Sequence, residues 1–315
     1  MDIIISSFNA VVPLFVVIAV GYLLRHLGIL DETLAVRINR LCFSILIPCV
    51  LFRTTYSATF PASAFMAAIY SSVAFIVLTP VLCWVTGKFF NGRKTVATIA
   101  NGVLRPNTTL LGIPLMTNLF GEDNLVCMTL IITFLVPILN MLSTVVLTLY
   151  SDDRKEKLTL WMLIKNVFKN PLIVGAILGI LFNLLKVPLP TIVTKPLKDL
   201  AGTATPLAML AMGARFNFKS FTGNRRAIVY SSLMRLAIVP AAVVGGAIAL
   251  GMRNEELCAL FIAAATPTAV ASVSMADAMG FDGELAGEIL IATSALSCLT
   301  LFLGICALRM TGLVG

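Results

Sequence analysis

Arg105-Pro106-Asn107-Thr108-Thr109 interrupts an otherwise apolar stretch that runs over 95–119, and Thr266-Pro267-Thr268 interrupts another over 254–278. Each stretch is long enough to cross the hydrocarbon core of a bilayer, which takes about 20 apolar residues. A proline at its centre removes one amide and frees a carbonyl that lipid cannot satisfy. Broken backbone at that depth survives only where it is buried in protein or lines a watery cavity. Two such breaks, one in each half of a chain, mark where carriers of this kind place their substrate.

Composition fits that setting. The chain is 59% hydrophobic and 12% charged, with a mean hydropathy of +0.99, against about 45–50% and about 25% in soluble domains. Apolar runs recur over roughly 8–27, 34–52, 63–87, 95–119, 124–149, 166–185, 192–213, 226–250, 254–278 and 284–309. The expected fold is therefore an all-α polytopic membrane protein of ten transmembrane helices, with helices 4 and 9 broken. Asp2 stands where a secretory signal carries positive charge, and no small-residue cleavage site follows the first run, so that run is expected to remain as a span.

Charge reports topology. Loops after odd-numbered spans carry Arg25, Arg37, Arg40, Lys88, Arg93, Lys94, the basic residues of 151–169, Arg215, Lys219, Arg225 and Arg226. The opposite side carries Arg53, Lys186, Lys195, Lys198, Arg253 and Arg309. The positive-inside rule then places 151–165 in the cytoplasm and both termini outside, in a plasma (bacterial inner) membrane. The net charge of +8 is thus a topology signal and does not call for nucleic acid as a partner; membrane lipid is the partner it implies.

The strongly polar stretch Ser151-Asp152-Asp153-Arg154-Lys155-Glu156-Lys157 divides the spans five and five. The expected organisation is a first five-helix repeat over 1–150, a cytoplasmic linker over 151–165, and a second repeat over 166–315. With an odd number of crossings per half, the second repeat is inverted relative to the first. Pro48 and Pro106 recur as Pro206 and Pro267 at nearly the same offset. The segment Asn118-Leu119-Phe120-Gly121-Glu122-Asp123 is answered by Ala278-Met279-Gly280-Phe281-Asp282-Gly283.

Where half-helices meet, an N-terminal end offers amides and positive potential to a carboxylate. Arg105, Asn107, Thr108, Thr109 and Thr268 are the candidate substrate ligands around the crossover prolines Pro106 and Pro267. Pro80, Pro137 and Pro240 read as simple kinks. Arg105 either approaches a substrate carboxylate or is fixed by a backbone carbonyl. Arg235 lies well inside the eighth span, where an arginine is costly. It pairs with an acidic group, offsets the substrate's charge, or snorkels to the surface. With Glu288 and Asp277 it forms the set of candidates for ion or charge coupling, although the last two sit near span ends, where solvated or paired roles are common. His26, the single histidine, reads as interfacial. One histidine leaves no ordinary Ser-His-Asp triad, and no His-Glu-x-x-His metal motif occurs. The seven cysteines lie in apolar runs without Cys-x-x-Cys spacing, so no metal site, disulfide framework or cofactor is expected, and the chain is not read as an enzyme. Asp277 and Asp282 sit too near a helix end for an intramembrane aspartyl protease.

The run Pro106-Asn107-Thr108-Thr109-Leu110-Leu111-Gly112-Ile113-Pro114-Leu115 resembles the fourth-helix crossover of the auxin efflux carrier family. Its members include plant PIN-type auxin exporters and bacterial permeases assigned to malate or malonate. Ile38-Asn39-Arg40-Leu41 with Ile47-Pro48 and Leu51-Phe52 is similar to that family's second helix. Ala265-Thr266-Pro267-Thr268-Ala269-Val270 with Met275-Ala276 is similar to its ninth. The resemblance implies a fold like that of the bile-acid:sodium symporters, with scaffold helices 1, 2, 6 and 7 and a mobile core of helices 3–5 and 8–10. It implies elevator-type movement, Asn107 near the substrate carboxylate, and a homodimer through the scaffold. Leu51 stands where plant members carry a polar residue facing substrate, which argues against auxin itself. No acidic or basic residue occurs from Ala62 to Gly87, where plant members have a charged pair.

The function expected from the sequence is secondary active transport of a small organic anion such as malate, malonate or an auxin-like acid, coupled to H+ or Na+. The alternative is a carboxylate receptor or channel without alternating access.

Overall fold

The computed structural model describes residues 2–121, 124–151, 170–215 and 224–315. The linker expected at 151–165 falls almost wholly outside the described residues, as do Glu122, Asp123 and the start of the expected sixth span.

The described chain is built from helices: α1 (Asp2–His26), α2 (Glu32–Tyr56), α3 (Ala62–Phe89), α4 (Arg93–Leu104), α5 (Thr108–Phe120), α6 (Val126–Tyr150), α7 (Pro171–Leu184), α8 (Thr191–Ala214), α9 (Arg225–Ala249), α10 (Asn254–Ala265), α11 (Val270–Ala278) and α12 (Gly283–Met310). Six of them, α1, α2, α3, α6, α9 and α12, have 24 to 28 residues apolar enough to cross a membrane. At 1.5 Å per residue such helices exceed the roughly 30 Å of hydrocarbon. The expected fourth and ninth spans are each two shorter helices, because the chain is non-helical at Arg105–Asn107 and at Thr266–Ala269. α8 is long, but Lys195, Lys198 and Asp199 make its first half polar.

Prolines other than those at the two breaks shape the helices without ending them. Three wide π-type turns, Cys42–Leu46 in α2, Thr108–Gly112 in α5 and Met234–Ile238 in α9, each stop two residues before a proline: Pro48, Pro114 and Pro240. A proline ring clashes with the carbonyl one turn earlier, and widening that turn relieves the clash while leaving the helix continuous. The kink read at Pro240 is therefore such a turn.

Two groups of helices result. α1 runs along α8, α2 along α7, and α8 also packs on α2. These pairs approach closely because small residues sit at the crossings. A Cβ on Gly21 or Gly213 would strike the backbone of Leu210 or Ile18, and one on Gly175 or Gly179 would strike Pro48 or Phe52 and Thr55. The second group holds α3 against α6, α9 and α12 together, and α4 and α10 inside, with α11 packed on α12 and α4. α4 and α10 are its buried centre: nearly every residue from Val96 to Leu104 and from Leu257 to Ala265 is out of reach of solvent. Apolar side chains such as Val77, Leu181, Ile192 and Leu299 are exposed around the outside, the pattern of a bundle whose solvent is lipid.

Candidate functional site

The two breaks lie against each other. Pro106 and Thr268 form an antiparallel bridge, in which the Asn107 amide donates to the Pro267 carbonyl at 2.7 Å and the Ala269 amide to the Arg105 carbonyl at 2.8 Å. Lipid could not satisfy these groups, so each break satisfies the other. Side chains tie the same four helices. Thr268 Oγ1 donates to Gly102 O at 2.9 Å, Thr108 Oγ1 to Ala263 O at 3.2 Å, and Asn101 Nδ2 to Ser272 O at 3.1 Å. Thr293 of α12 accepts the Thr268 amide at 3.2 Å.

Four helix ends therefore meet at one depth. α4 and α10 end there, presenting carbonyls; α5 and α11 start there, presenting first-turn amides that have no intrahelical acceptor. Arg235 answers the carbonyl ends. It is fully buried; Nε donates to Thr266 O at 3.0 Å, Nη1 to Val103 O at 2.7 Å, and Nη2 to Ala264 O. One guanidinium thus faces two helix C-termini, each worth roughly half a negative charge. Arg235 does not snorkel, and carbonyls take the place of the acidic partner that was one reading of it. Arg235 lies within the wide turn at Met234–Ile238.

Arg105 is also buried, and it is fixed by side chains rather than by a backbone carbonyl. Nη2 donates to Asn140 Oδ1 of α6 at 2.6 Å, and Nη1 lies against the Met275 sulfur of α11. Asn107 faces the other group of helices. Its amide nitrogen approaches Met212 Sδ of α8 at 3.8 Å, a poor acceptor for a donor so deeply buried.

A cleft of about 240 Å³ opens between α2, α5 and α8, lined by Val50, Arg53 and Thr54, by Pro114, Thr117 and Asn118, and by Thr205 among others. It narrows into a pocket whose walls include Ile47, Thr109, Leu110 and Ala208. Asn107 and Met212 lie about one helical turn beyond that closed end, judged from the helix rise. The cleft thus leads from one end of the bundle toward the crossing, along the seam between the two groups of helices.

The structure brings together Arg105, Pro106, Asn107, Thr108, Thr109, Pro267, Thr268 and Arg235. Glu288 is buried in α12, deeper than its place near a span end suggested, whereas Asp277 is exposed at the end of α11 against Gly283. Leu51 is fully buried and absent from the cleft wall, where Val50, Arg53 and Thr54 stand instead. Sequence reasoning did not single out Arg53, Thr54, Thr117, Asn118, Thr205 or Asn140. For the first five a signal existed: 50, 53 and 54, then 113, 114, 117 and 118, then 201, 202, 205 and 206 each repeat at helical spacing on one face. Asn140 had none, since only the fold brings it to Arg105. Among the described residues no cluster of metal-ligating side chains forms.

Two archaeal proteins are similar along nearly their whole length. An uncharacterized transporter of Methanothermobacter thermautotrophicus is 24% identical over 310 residues, covering 94% of this chain and 96% of that protein. An uncharacterized transporter of Methanocaldococcus jannaschii is 22% identical over 304 residues, with the same shares covered. The family model described as "Membrane transport protein" matches residues 6–305, a span that includes both breaks and Arg235. Six long apolar helices, two mutually satisfied breaks and that match together place the chain in the membrane transport protein family, the auxin efflux carriers, as an integral membrane protein.

Proposed function

We propose that this protein carries a small carboxylate across the membrane by elevator-type alternating access, as ten spans in two inverted five-span repeats. The observation that carries the reading is the crossing itself. Its carbonyl ends are neutralised by Arg235, its amide ends are left for an anion, and Asn107 holds a buried donor against nothing better than a thioether. A carboxylate oxygen would be a far stronger acceptor. Thr108, Thr109 and Thr268 flank it, and Arg105 supplies positive potential behind.

Packing supports the division into scaffold and core. The first span pairs with the seventh and the second with the sixth, while the third lies on the fifth and the eighth on the tenth, as an approximate twofold relation between halves requires. The glycine-tight pairs α1–α8 and α2–α7 suit a fixed scaffold. The cleft follows the seam along which a core would slide. By the distribution of Lys and Arg its mouth is extracytoplasmic, so the conformation is outward-facing and closed just above Asn107.

For the driving ion we favour protons over sodium. The carbonyl ends that would suit a sodium ion are already occupied by a guanidinium, and Glu288 is a buried carboxyl in the same group of helices.

The test is uptake of radiolabelled malate, malonate and indole-3-acetate into liposomes holding the purified protein, under imposed proton and sodium gradients. Accumulation of one acid driven by the proton gradient and lost in Asn107→Ala is the expected result. Wild-type uptake by Asn107→Ala sinks the crossing as the substrate site. Accumulation driven by sodium alone sinks the proton reading.

A further inference from the structure

Between α3 and α9 lies a second cavity, of about 440 Å³, that shares no wall residue with the cleft. Its walls are apolar throughout, with Val81 and Val85 of α3 facing Leu233 and Ile238 of α9, and with Phe89 and Tyr230 at one end. Val81, Phe89, Leu233 and Ile238 are about half exposed. That is ordinary for a surface in hydrocarbon and by itself indicates no particular occupant.

What closes the end of the groove is charge. The Tyr230 ring packs tilted against Phe89 and edge-on against Phe90, with centroids at 5.7 and 5.1 Å, and its hydroxyl is 3.0 Å from Thr86 Oγ1. One cation stands over this aromatic cap, and a second stands over Trp84 of α3, outside the groove's lining. The Arg226 guanidinium lies 5.4 Å from the Phe90 ring centroid, and the Lys88 ammonium 5.5 Å from that of Trp84. Both basic side chains are exposed, and Arg225 precedes Arg226 in sequence. Neither α3 nor α9 contains an acidic residue, so nothing on these two helices competes for the cations. Cation–π contacts hold the charged groups above the rings while leaving their outer faces open.

An apolar groove between membrane helices, ended at headgroup depth by aromatic rings and two held cations, matches one chemistry. We propose that it binds a single anionic phospholipid. One acyl chain lies along Val81, Val85, Leu233 and Ile238, and the phosphate meets Lys88 and Arg226. Basic pockets of this kind between helices take anionic headgroups. The site is on the same group of helices as the crossing and does not depend on what crosses the membrane.

Trp84, two-thirds exposed beside Lys88, is a built-in reporter. The chain has two tryptophans, and Trp161→Phe leaves Trp84 alone. The full chain in that background is reconstituted in vesicles of phosphatidylcholine containing phosphatidylglycerol, with bromine on the acyl chains of one lipid at a time. Brominated phosphatidylglycerol is expected to quench Trp84 at a much lower mole fraction than brominated phosphatidylcholine. Each basic residue removed should weaken this preference about fivefold, and the pair Lys88→Gln with Arg226→Gln about thirtyfold. Ala242→Phe, which fills the groove, should abolish the preference with both cations in place. Lys195→Gln, on the opposite side of the bundle by the charge pattern, should leave it unchanged. The proposal is overturned if the two lipids quench equally, if the preference survives the double glutamine variant, or if Ala242→Phe retains it, which would reduce the site to a basic surface without a groove. Equal elution of all variants on size exclusion shows that the fold is retained.

Discussion

Replacing Arg235 by methionine tests the electrostatics of the crossing directly. Methionine is long and flexible enough to fill the space, so the change removes charge and donors more than volume. Three buried carbonyls, of Val103, Ala264 and Thr266, lose their donor. A buried polar group left unsatisfied costs about 1–3 kcal/mol, so the gross loss is about 3–9 kcal/mol. Against it stands the cost of keeping an arginine at membrane depth, about 3 kcal/mol on insertion scales, which the variant no longer bears. The net is a loss of about 3 kcal/mol near the middle of that range. At about 2 °C per kcal/mol for a chain of this size, Tm should fall by about 6 °C. The assay is thermal unfolding of purified protein in detergent, followed by scattering and tryptophan emission. Arg235→Lys should fall between the two, since an ammonium has three donors but no planar fork to span carbonyls from two helices. Uptake should be lost in the methionine variant even at temperatures where it is folded, because two helix C-termini would face an entering carboxylate uncompensated. A methionine variant that melts within 1 °C of wild type would refute the idea that Arg235 holds the two breaks together.

The remaining expectations concern the site, the seam and the scaffold. Asn107→Ala should leave Tm within about 2 °C of wild type, because only a thioether contact is lost; a fall of 6 °C or more would make Asn107 structural. Thr205→Trp, placed in the wall of the cleft and its inner pocket, should cut uptake at least tenfold without loss of folded protein, and full uptake would show that substrate enters elsewhere. Glu288→Gln should abolish proton-driven accumulation while permitting exchange of labelled for unlabelled substrate across the membrane; persistence of proton-driven accumulation would remove Glu288 from the coupling. Gly213→Val forces a side chain into the Ile18 backbone of α1, and overpacking at such a contact costs about 1–3 kcal/mol. It should appear as a drop of several degrees in Tm, and unchanged stability would show that α1 and α8 are free to part.

Much of this molecule could be read along the chain. The long apolar helices match the expected runs closely: the run at 226–250 became Arg225–Ala249, and that at 284–309 became Gly283–Met310. The two breaks fell where Pro106 and Pro267 stand, and the family was legible in the ten residues from Pro106 to Leu115. Lipid is the reason. It rewards every apolar side chain alike and leaves backbone groups no partner but their own helix, so span and break are local properties. What satisfies a break is not local. The Asn107 amide finds its acceptor in the other half of the chain, and the carbonyls of Val103, Ala264 and Thr266 share one arginine from a third helix. From its sequence Arg235 could pair with an acid, offset the substrate's charge or snorkel, because a single sequence shows which residues are charged but not which helix ends converge on them. Arg105 and Asn140 meet only because α4 and α6 pack. The chain alone located the six long apolar helices and the two breaks; only tertiary packing decided which groups answer those breaks, since their hydrogen bonds join segments that share depth rather than sequence.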